Sequence, residues 1–74
     1  MWTQGTINVG KKVYRYWVKH YEEGSEFGID QGRISKLRID CEDMVVCSYE
    51  RGWDVEPDDA DTKNVLAILL TRFN

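Results

Sequence analysis

The segment from Lys11 to Tyr21 constrains the fold more than any other part of the chain. It holds four of the nine aromatic residues, interleaved with basic residues and valines, a composition typical of a strand rather than a helix. Side chains alternate between the two faces of a strand. One face then carries Tyr14, Tyr16, Val18 and His20, and the other carries Val13, Arg15, Trp17, Lys19 and Tyr21. If the first face is core, the second exposes a tryptophan between an arginine and a lysine.

Length and charge limit the architecture and the partners. A chain of 74 residues predicts one domain over residues 1–74, and a domain this small leaves much of its surface exposed. The net charge is −3, with basic residues concentrated at 11–19 and 33–38 and acidic residues at 22–30 and 54–61. The molecule is therefore predicted to be bipolar, without the uniform positive field that steers proteins to DNA or anionic lipid.

No segment has the composition of a targeting signal or a membrane span. The longest apolar run covers residues 65–70, whereas crossing a bilayer takes roughly 20 residues. The first residues lack the basic and apolar regions of a signal peptide. The sequence thus predicts a cytoplasmic protein with no membrane partner, in which Cys41 and Cys47 are reduced thiols.

The N-terminal part of the chain predicts a β-hairpin. A strand from Trp2 to Val9 ends at Gly10-Lys11, where glycine supplies the positive φ that a tight turn requires. The resulting pairs are Val9–Lys12, Ile7–Tyr14, Gln4–Trp17 and Trp2–Lys19. Ile7 and Val9 then share the core face. Trp2 joins the opposite face, which we call the outer face.

Residues 22–32 are predicted to form a loop. Three glycines and four acidic residues over eleven positions favour neither helix nor strand. Loops of this length are often functional, so Ser25, Glu26 and Phe27 are candidate binding residues. The alternative, which we favour, is that Phe27 and Ile29 close one end of the core.

A second hairpin is predicted from Arg33 to Asp40 and from Met44 to Arg51. A three-residue turn, Cys41-Glu42-Asp43, gives the best match between apolar side chains. The resulting pairs on the apolar face are Ile39–Val45, Leu37–Cys47 and Ser35–Tyr49. The opposite face carries Lys36, Arg38, Val46 and Ser48.

Residues 58–73 predict a helix. Pro57 suits a first helical position, and the acidic residues that follow complement the positive end of the helix dipole. Apolar residues then recur at helical spacing, at Val65, Leu66, Leu69, Leu70 and Phe73. The predicted fold is α+β: a four-stranded antiparallel sheet of two hairpins with one C-terminal helix packed on one face. Gly52, Trp53 and Asp54 form the joint between strand and helix, and the outer face stays uncovered.

The sequence predicts no metal, no cofactor and no catalytic site. Cys41 and Cys47 are too widely spaced for a typical zinc pair, and His20 is the only histidine. No serine lies in a nucleophile elbow, and the glycines of the 22–32 loop lack the Gly-Lys-Ser/Thr of a phosphate loop. An enzyme built on the acidic residues of this loop is the least favoured alternative.

The outer face is the predicted binding surface. The candidate residues are Trp2, Arg15, Trp17, Lys19, Lys36 and Arg38, with Ser25, Glu26 and Phe27 of the loop as a second contact. Tryptophan and arginine dominate protein interfaces, and two-fold homodimers are the commonest oligomers. The favoured function is therefore protein binding, by self-association or to another protein.

Two alternatives remain open for the outer face. Its mixture of aromatic and basic side chains also suits single-stranded nucleic acid, although the RNP signatures are absent and the net charge is negative. In the other alternative, Arg15 and Lys19 extend over Trp17 and shield it from water without any partner.

Three segments carry a resemblance to a known family: residues 2–7, residues 16–37, and residues 49–57, which include Arg51-Gly-Trp-Asp. They resemble small uncharacterised bacterial proteins, a domain of unknown function that occurs in gut Firmicutes and their phages or mobile elements. That family brings no activity, cofactor or catalytic residue to transfer. The resemblance implies a stand-alone intracellular module, for which a role accessory to a mobile element is one option.

Overall fold

A computed structural model describes all residues, 1–74, as one antiparallel sheet whose strands lie side by side in chain order. The elements are strands β1 (Trp2–Val9), β2 (Lys12–His20), β3 (Ile34–Cys41), β4 (Met44–Glu50) and β5 (Trp53–Val55), and helix α1 (Ala60–Phe73), with a 3-10 turn at Ile29–Gln31. The α+β class with one C-terminal helix on the sheet is confirmed. The predicted number of strands is wrong, because the sheet has five strands instead of four.

The first hairpin has the predicted register. Its pairs include Val9–Lys12, Ile7–Tyr14, Gln4–Trp17 and Trp2–Lys19. Gly10 has a φ of 60°, in the left-handed region that glycine adopts without steric cost. Ile7 and Val9 pack against the core from the edge strand, as predicted.

The register of the second hairpin differs from the prediction. The turn has two residues, Glu42 and Asp43, with φ of 53° and 63°, so Cys41 is the last residue of β3 and is buried. A β-bulge then shifts the pairing between Asp40 and Ile39, and Ile39 lies opposite Cys47. The turn and the bulge together move the apolar pairing by two residues.

This shift changes which side chain of β4 reaches the core. Val45, predicted to be buried opposite Ile39, is 41 % exposed and lies opposite Asp40. Leu37 lies opposite Tyr49 instead of Cys47. The predicted core face therefore keeps all its members except Val45.

The segment predicted as a joint forms the fifth strand. Trp53 pairs with Tyr49 and Val55 pairs with Ser48, after a turn in which Arg51 has a φ of 58°. The rings of Tyr49 and Trp53 pack edge to face with centroids 5.1 Å apart. This aromatic contact fixes a strand of only three residues, too short to show an alternation in the sequence.

Helix α1 begins two residues later than predicted. Asp59 is the N-cap: its side chain accepts a hydrogen bond from the backbone N–H of Thr62 at 2.7 Å and from the Thr62 hydroxyl at 3.0 Å. Pro57 thus precedes the helix and does not occupy its first turn. Val65, Leu66 and Leu69 face the sheet and are buried.

The core lies between α1 and one face of the sheet. Its thirteen residues are Tyr14, Tyr16, Val18, Ile29, Ile34, Leu37, Ile39, Cys41, Cys47, Tyr49, Val65, Leu66 and Leu69. Tyr14, Tyr16 and Val18 of β2 are among them, so the predicted choice of core face is confirmed. The outer face is left without a covering element.

The 22–32 loop is folded against one end of this core. Ile29 is buried, as predicted, but Phe27 is 52 % exposed, so only one of the two side chains closes the core. Asn74, which follows α1, donates from Nδ2 to the Ile29 carbonyl at 3.0 Å and accepts from the Ile34 N–H at 3.0 Å. These two bonds join the loop, β3 and the end of the helix.

Candidate interaction surface

The outer face brings together the six strand residues that the sequence singled out. Trp2, Lys19 and Lys36 lie opposite one another across β1, β2 and β3. Trp17 and Arg38 are a second cross-strand pair. Arg15 precedes Trp17 by two positions on the same side of β2. The cluster therefore follows directly from the two-residue period of the strands.

The candidate loop residues are separate from this cluster. Ser25 accepts a hydrogen bond from the Phe27 N–H at 3.3 Å, and the Phe27 carbonyl accepts one from the Tyr49 hydroxyl at 2.9 Å. Tyr49 and Ile29 belong to the core. The loop is thus anchored on the helix side of the sheet, and Ser25, Glu26 and Phe27 do not extend the outer face.

Cations lie over the aromatic rings of the outer face. The Lys19 ammonium is 5.9 Å from the Trp2 ring centroid and 5.7 Å from that of Tyr21. The Arg38 guanidinium is 5.4 Å from the Trp17 ring. One alternative from the sequence had Arg15 and Lys19 extend over Trp17, whereas the structure places Arg38 there. Such contacts stabilise by about 0.5–1 kcal/mol at exposed sites.

Three of the four basic candidate residues of the outer face have carboxylate neighbours. Arg38 binds Asp40 through two hydrogen bonds of 2.8 and 2.9 Å, and this interaction raises the pKa of Arg38. Lys36 lies 3.2 Å from Glu50, and Arg15 lies 3.9 Å from Asp43.

The carboxylates were not predicted as members of the surface. Only Asp40 had a detectable signal in the sequence, because it follows Arg38 by two positions and so shares its side of β3. Glu50 and Asp43 reach the cations through the register of the second hairpin and through its turn. The face therefore presents both signs of charge around its aromatic rings.

Open depressions lie beside this cluster. One of about 310 Å³ is bounded by the middle of β1 and by Arg15, Tyr16 and Trp17. A larger one of about 370 Å³ lies at the turn end of the sheet, where Lys11 and Lys12 face Glu42 and Asp43. The polar groups around both are surface charges and amides, which suits contact with a macromolecular surface.

The two cysteines lie within the core. Cys41 and Cys47 are free thiols and both are buried, so the predicted position of Cys41 in a turn is wrong. Burial raises the pKa of Cys47 to about 11. Since the thiolate is the form that attacks electrophiles and binds metals, Cys47 is unreactive at neutral pH. No group of three or more potential metal ligands is present.

His20 is a structural residue at the end of the core. Its Nε2 lies 3.0 Å from the Thr3 hydroxyl, and its ring packs 4.9 Å from that of Phe73. Burial lowers the pKa of His20, and the positive charges of the amino terminus and Arg33 lower it further. The imidazole is therefore neutral at pH 7.

Acidification should destabilise the domain through His20. Its pKa is lower in the folded than in the unfolded chain, so the unfolded chain binds more protons once the pH falls below about 6.5. The free energy of unfolding should fall through this range and level off below the folded pKa. Urea unfolding from pH 8 to pH 5 tests this against His20→Gln, which can still hydrogen-bond Thr3. Parallel pH profiles for the two proteins would show that His20 does not contribute.

Comparison with known proteins identifies a family without an activity. No curated protein and no solved structure matches the chain. Helix α1, with 14 residues, does not combine the length and the apolar character that crossing a membrane requires. Residues 1–74 match the family described as Domain of unknown function (DUF7678). This agrees with the resemblance to a domain of unknown function that the sequence segments indicated. The match covers the hairpins, the loop and the helix alike, and the chain belongs to this family.

Proposed function

We propose that this domain is a non-enzymatic protein-binding module that self-associates through its outer face. The observation that carries the proposal is the position of Trp2 and Trp17 on the side of the sheet that α1 leaves uncovered. Trp2 is 58 % exposed, and a second copy that covered it would bury a large apolar ring. Tryptophan and arginine supply most of the binding energy in protein interfaces, and Trp17 stacks with Arg38.

The charges of the outer face favour a protein partner over nucleic acid. Arg15, Lys36 and Arg38 each lie beside a carboxylate, which a phosphate backbone would have to displace or approach against repulsion. Lys19 alone among the predicted cations has no carboxylate neighbour. A second copy, in contrast, presents both signs of charge and can match cations with carboxylates across a two-fold axis.

Single-stranded nucleic acid is the second candidate function. The exposed ring of Trp2 beside Lys19 has the chemistry of a base-stacking site with a neighbouring phosphate contact. Oligonucleotide affinity that falls with salt and is lost in Arg15→Ala would favour this candidate.

For the cellular setting, we propose the cytoplasm of a bacterium and a role accessory to a mobile element, as the family resemblance implies.

Replacing Trp17 by alanine should weaken self-association and leave the fold intact. Truncating a central interface tryptophan costs roughly 2–4 kcal/mol, so the dimer dissociation constant should rise at least tenfold. Light scattering after size exclusion, over a range of concentrations at low and high salt, measures the association. Circular dichroism measures the fold.

Trp53→Ala is the matched control, because Trp53 packs on Tyr49 on the helix side of the sheet. It should leave the dissociation constant unchanged. A wild-type protein that is monomeric at every concentration would contradict the proposal. Unfolding of Trp17→Ala would show that Trp17 is required for the fold, which would contradict its role as a residue that serves association alone.

A further inference from the structure

We propose that β1 is a second docking site, which pairs edge to edge with β1 of another copy of the chain. β1 is the first strand of the sheet, and β2 is its only neighbour. This contact lies in the plane of the sheet, at its edge, whereas a partner on the outer face approaches perpendicular to that plane. The inference therefore goes beyond the proposed function and is independent of it.

The ladder between β1 and β2 shows which backbone groups of β1 are open. The Met1 carbonyl accepts a hydrogen bond from the His20 N–H at 2.9 Å, so Met1 occupies a hydrogen-bonded pair. Such pairs alternate along an antiparallel ladder, and the odd-numbered residues of β1 therefore bond to β2. The residues whose N–H and C=O groups point away from the sheet are Trp2, Gln4, Thr6 and Asn8.

This edge lacks the features that normally prevent pairing. Natural edge strands are short, charged, interrupted by proline or bulged. β5, at the other edge, has three residues and is followed by an acidic segment. β1 has eight residues and contains no charged residue and no proline. Its pairing with β2 has no bulge. The contrast between the two edges indicates that β1 is open for a partner strand.

A second copy of β1 satisfies these open groups. With Gly5 facing Gly5 across a two-fold axis, Gln4 lies opposite Thr6 and Trp2 lies opposite Asn8. All four outward-pointing residues then form hydrogen-bonded pairs, and each pair exchanges two bonds. The side chains of each sheet face stay on that face, which a one-residue slip would reverse. No like charges meet, because β1 is uncharged.

Gly5 suits the position on the two-fold axis. A Cβ at this residue would lie 2.6 Å from the Tyr16 hydroxyl, so the space above Gly5 on the core face is filled by the tyrosine ring. Residues that face each other outside the hydrogen-bonded pairs approach most closely, and two glycines allow this approach without a side-chain clash. The product is a continuous sheet of two domains with their outer faces side by side.

Thr6→Pro tests the edge contact. Proline removes an N–H that points away from β2, so it should be tolerated in the isolated domain and should block strand pairing. We expect the dissociation constant of the dimer to rise at least tenfold, as measured by light scattering over a concentration series. Thr6→Ser keeps the N–H and is the matched control, in which the dissociation constant should not change.

Amide hydrogen exchange in the wild-type protein provides a measurement that does not depend on a variant. The amides of Gln4, Thr6 and Asn8 should be protected at high protein concentration and should exchange rapidly on dilution. Contact through the outer face alone would not protect them. Rapid exchange at every concentration would overturn edge pairing, even if Thr6→Pro failed to fold.

The same experiments separate this inference from the proposed function. A dimer that Thr6→Pro dissociates and Trp17→Ala does not would support edge pairing and contradict self-association through the outer face. The opposite pattern would overturn edge pairing and support the proposed function. A wild-type protein that is monomeric throughout would overturn both.

Discussion

Replacing Ile39 by alanine should destabilise the domain by roughly 2–5 kcal/mol, the range measured when large aliphatic side chains are truncated in a core. Ile39 lies on the central strand β3 and is 0 % exposed. Truncation removes its contacts and leaves a cavity between the sheet and α1. The total free energy of unfolding of a small domain is only about 5 kcal/mol, so a large part of the population should unfold. Urea unfolding followed by circular dichroism measures the loss.

Val45→Ala is the matched control for this prediction. The register expected from apolar matching made Val45 the buried partner of Ile39, whereas the structure exposes Val45 and places Cys47 opposite Ile39. Truncation of Val45 should therefore change the free energy of unfolding by no more than about 0.5 kcal/mol. Comparable losses in the two variants would contradict the observed register. Ile39→Val, with an expected loss of about 0.5–1.5 kcal/mol, serves if Ile39→Ala does not fold.

The first hairpin was predictable because its sequence signals are local and agree with one another. Tyr14, Tyr16 and Val18 recur every second residue on one face of β2, and Gly10 marks the turn. The turn determines the register, and the alternation determines which face is buried. Both signals point to the same pairing, which is the one observed.

The second hairpin was less predictable because its turn contains no glycine. Glu42 and Asp43 both adopt positive φ. Aspartate tolerates this conformation, but glutamate rarely adopts it, so the sequence does not indicate the turn. The β-bulge beside Asp40 also has no marker in the sequence. This register buries Cys47 and Tyr49 in the core that α1 helps to form, and that core joins residues far apart in the chain.

The members of the outer face were predictable, but their electrostatic environment was not. Trp17, Arg15 and Lys19 follow from the two-residue period of β2. The carboxylates of Glu50 and Asp43 come from β4 and the second turn, so their contacts depend on the register that the sequence did not reveal. For the same reason, the sequence suggested a basic aromatic face, whereas the folded surface carries charges of both signs.

Gly28→Ala should destabilise the domain by about 1–3 kcal/mol, the range expected when atoms are forced into filled space. A Cβ at Gly28 would overlap the carbonyl oxygen of Gly32 and lie 3.1 Å from that of Ile34. Both obstacles are backbone atoms, so no side-chain rotation relieves the clash. The Gly32 carbonyl also accepts the Ser25 N–H at 3.1 Å, and its displacement would disturb the loop that places Ile29 in the core.

The loss should appear as a fall in melting temperature of roughly 4–8 °C for each kcal/mol in a domain of this size. Gly52→Ala is the matched control, because a Cβ at Gly52 meets nothing within 4 Å and should leave stability almost unchanged. If Gly28→Ala melted with the wild-type protein, the close packing of the loop would be wrong. A selective loss in Gly28→Ala would show that the loop requires glycine at this position, because backbone atoms of Gly32 and Ile34 fill the space that a side chain would need.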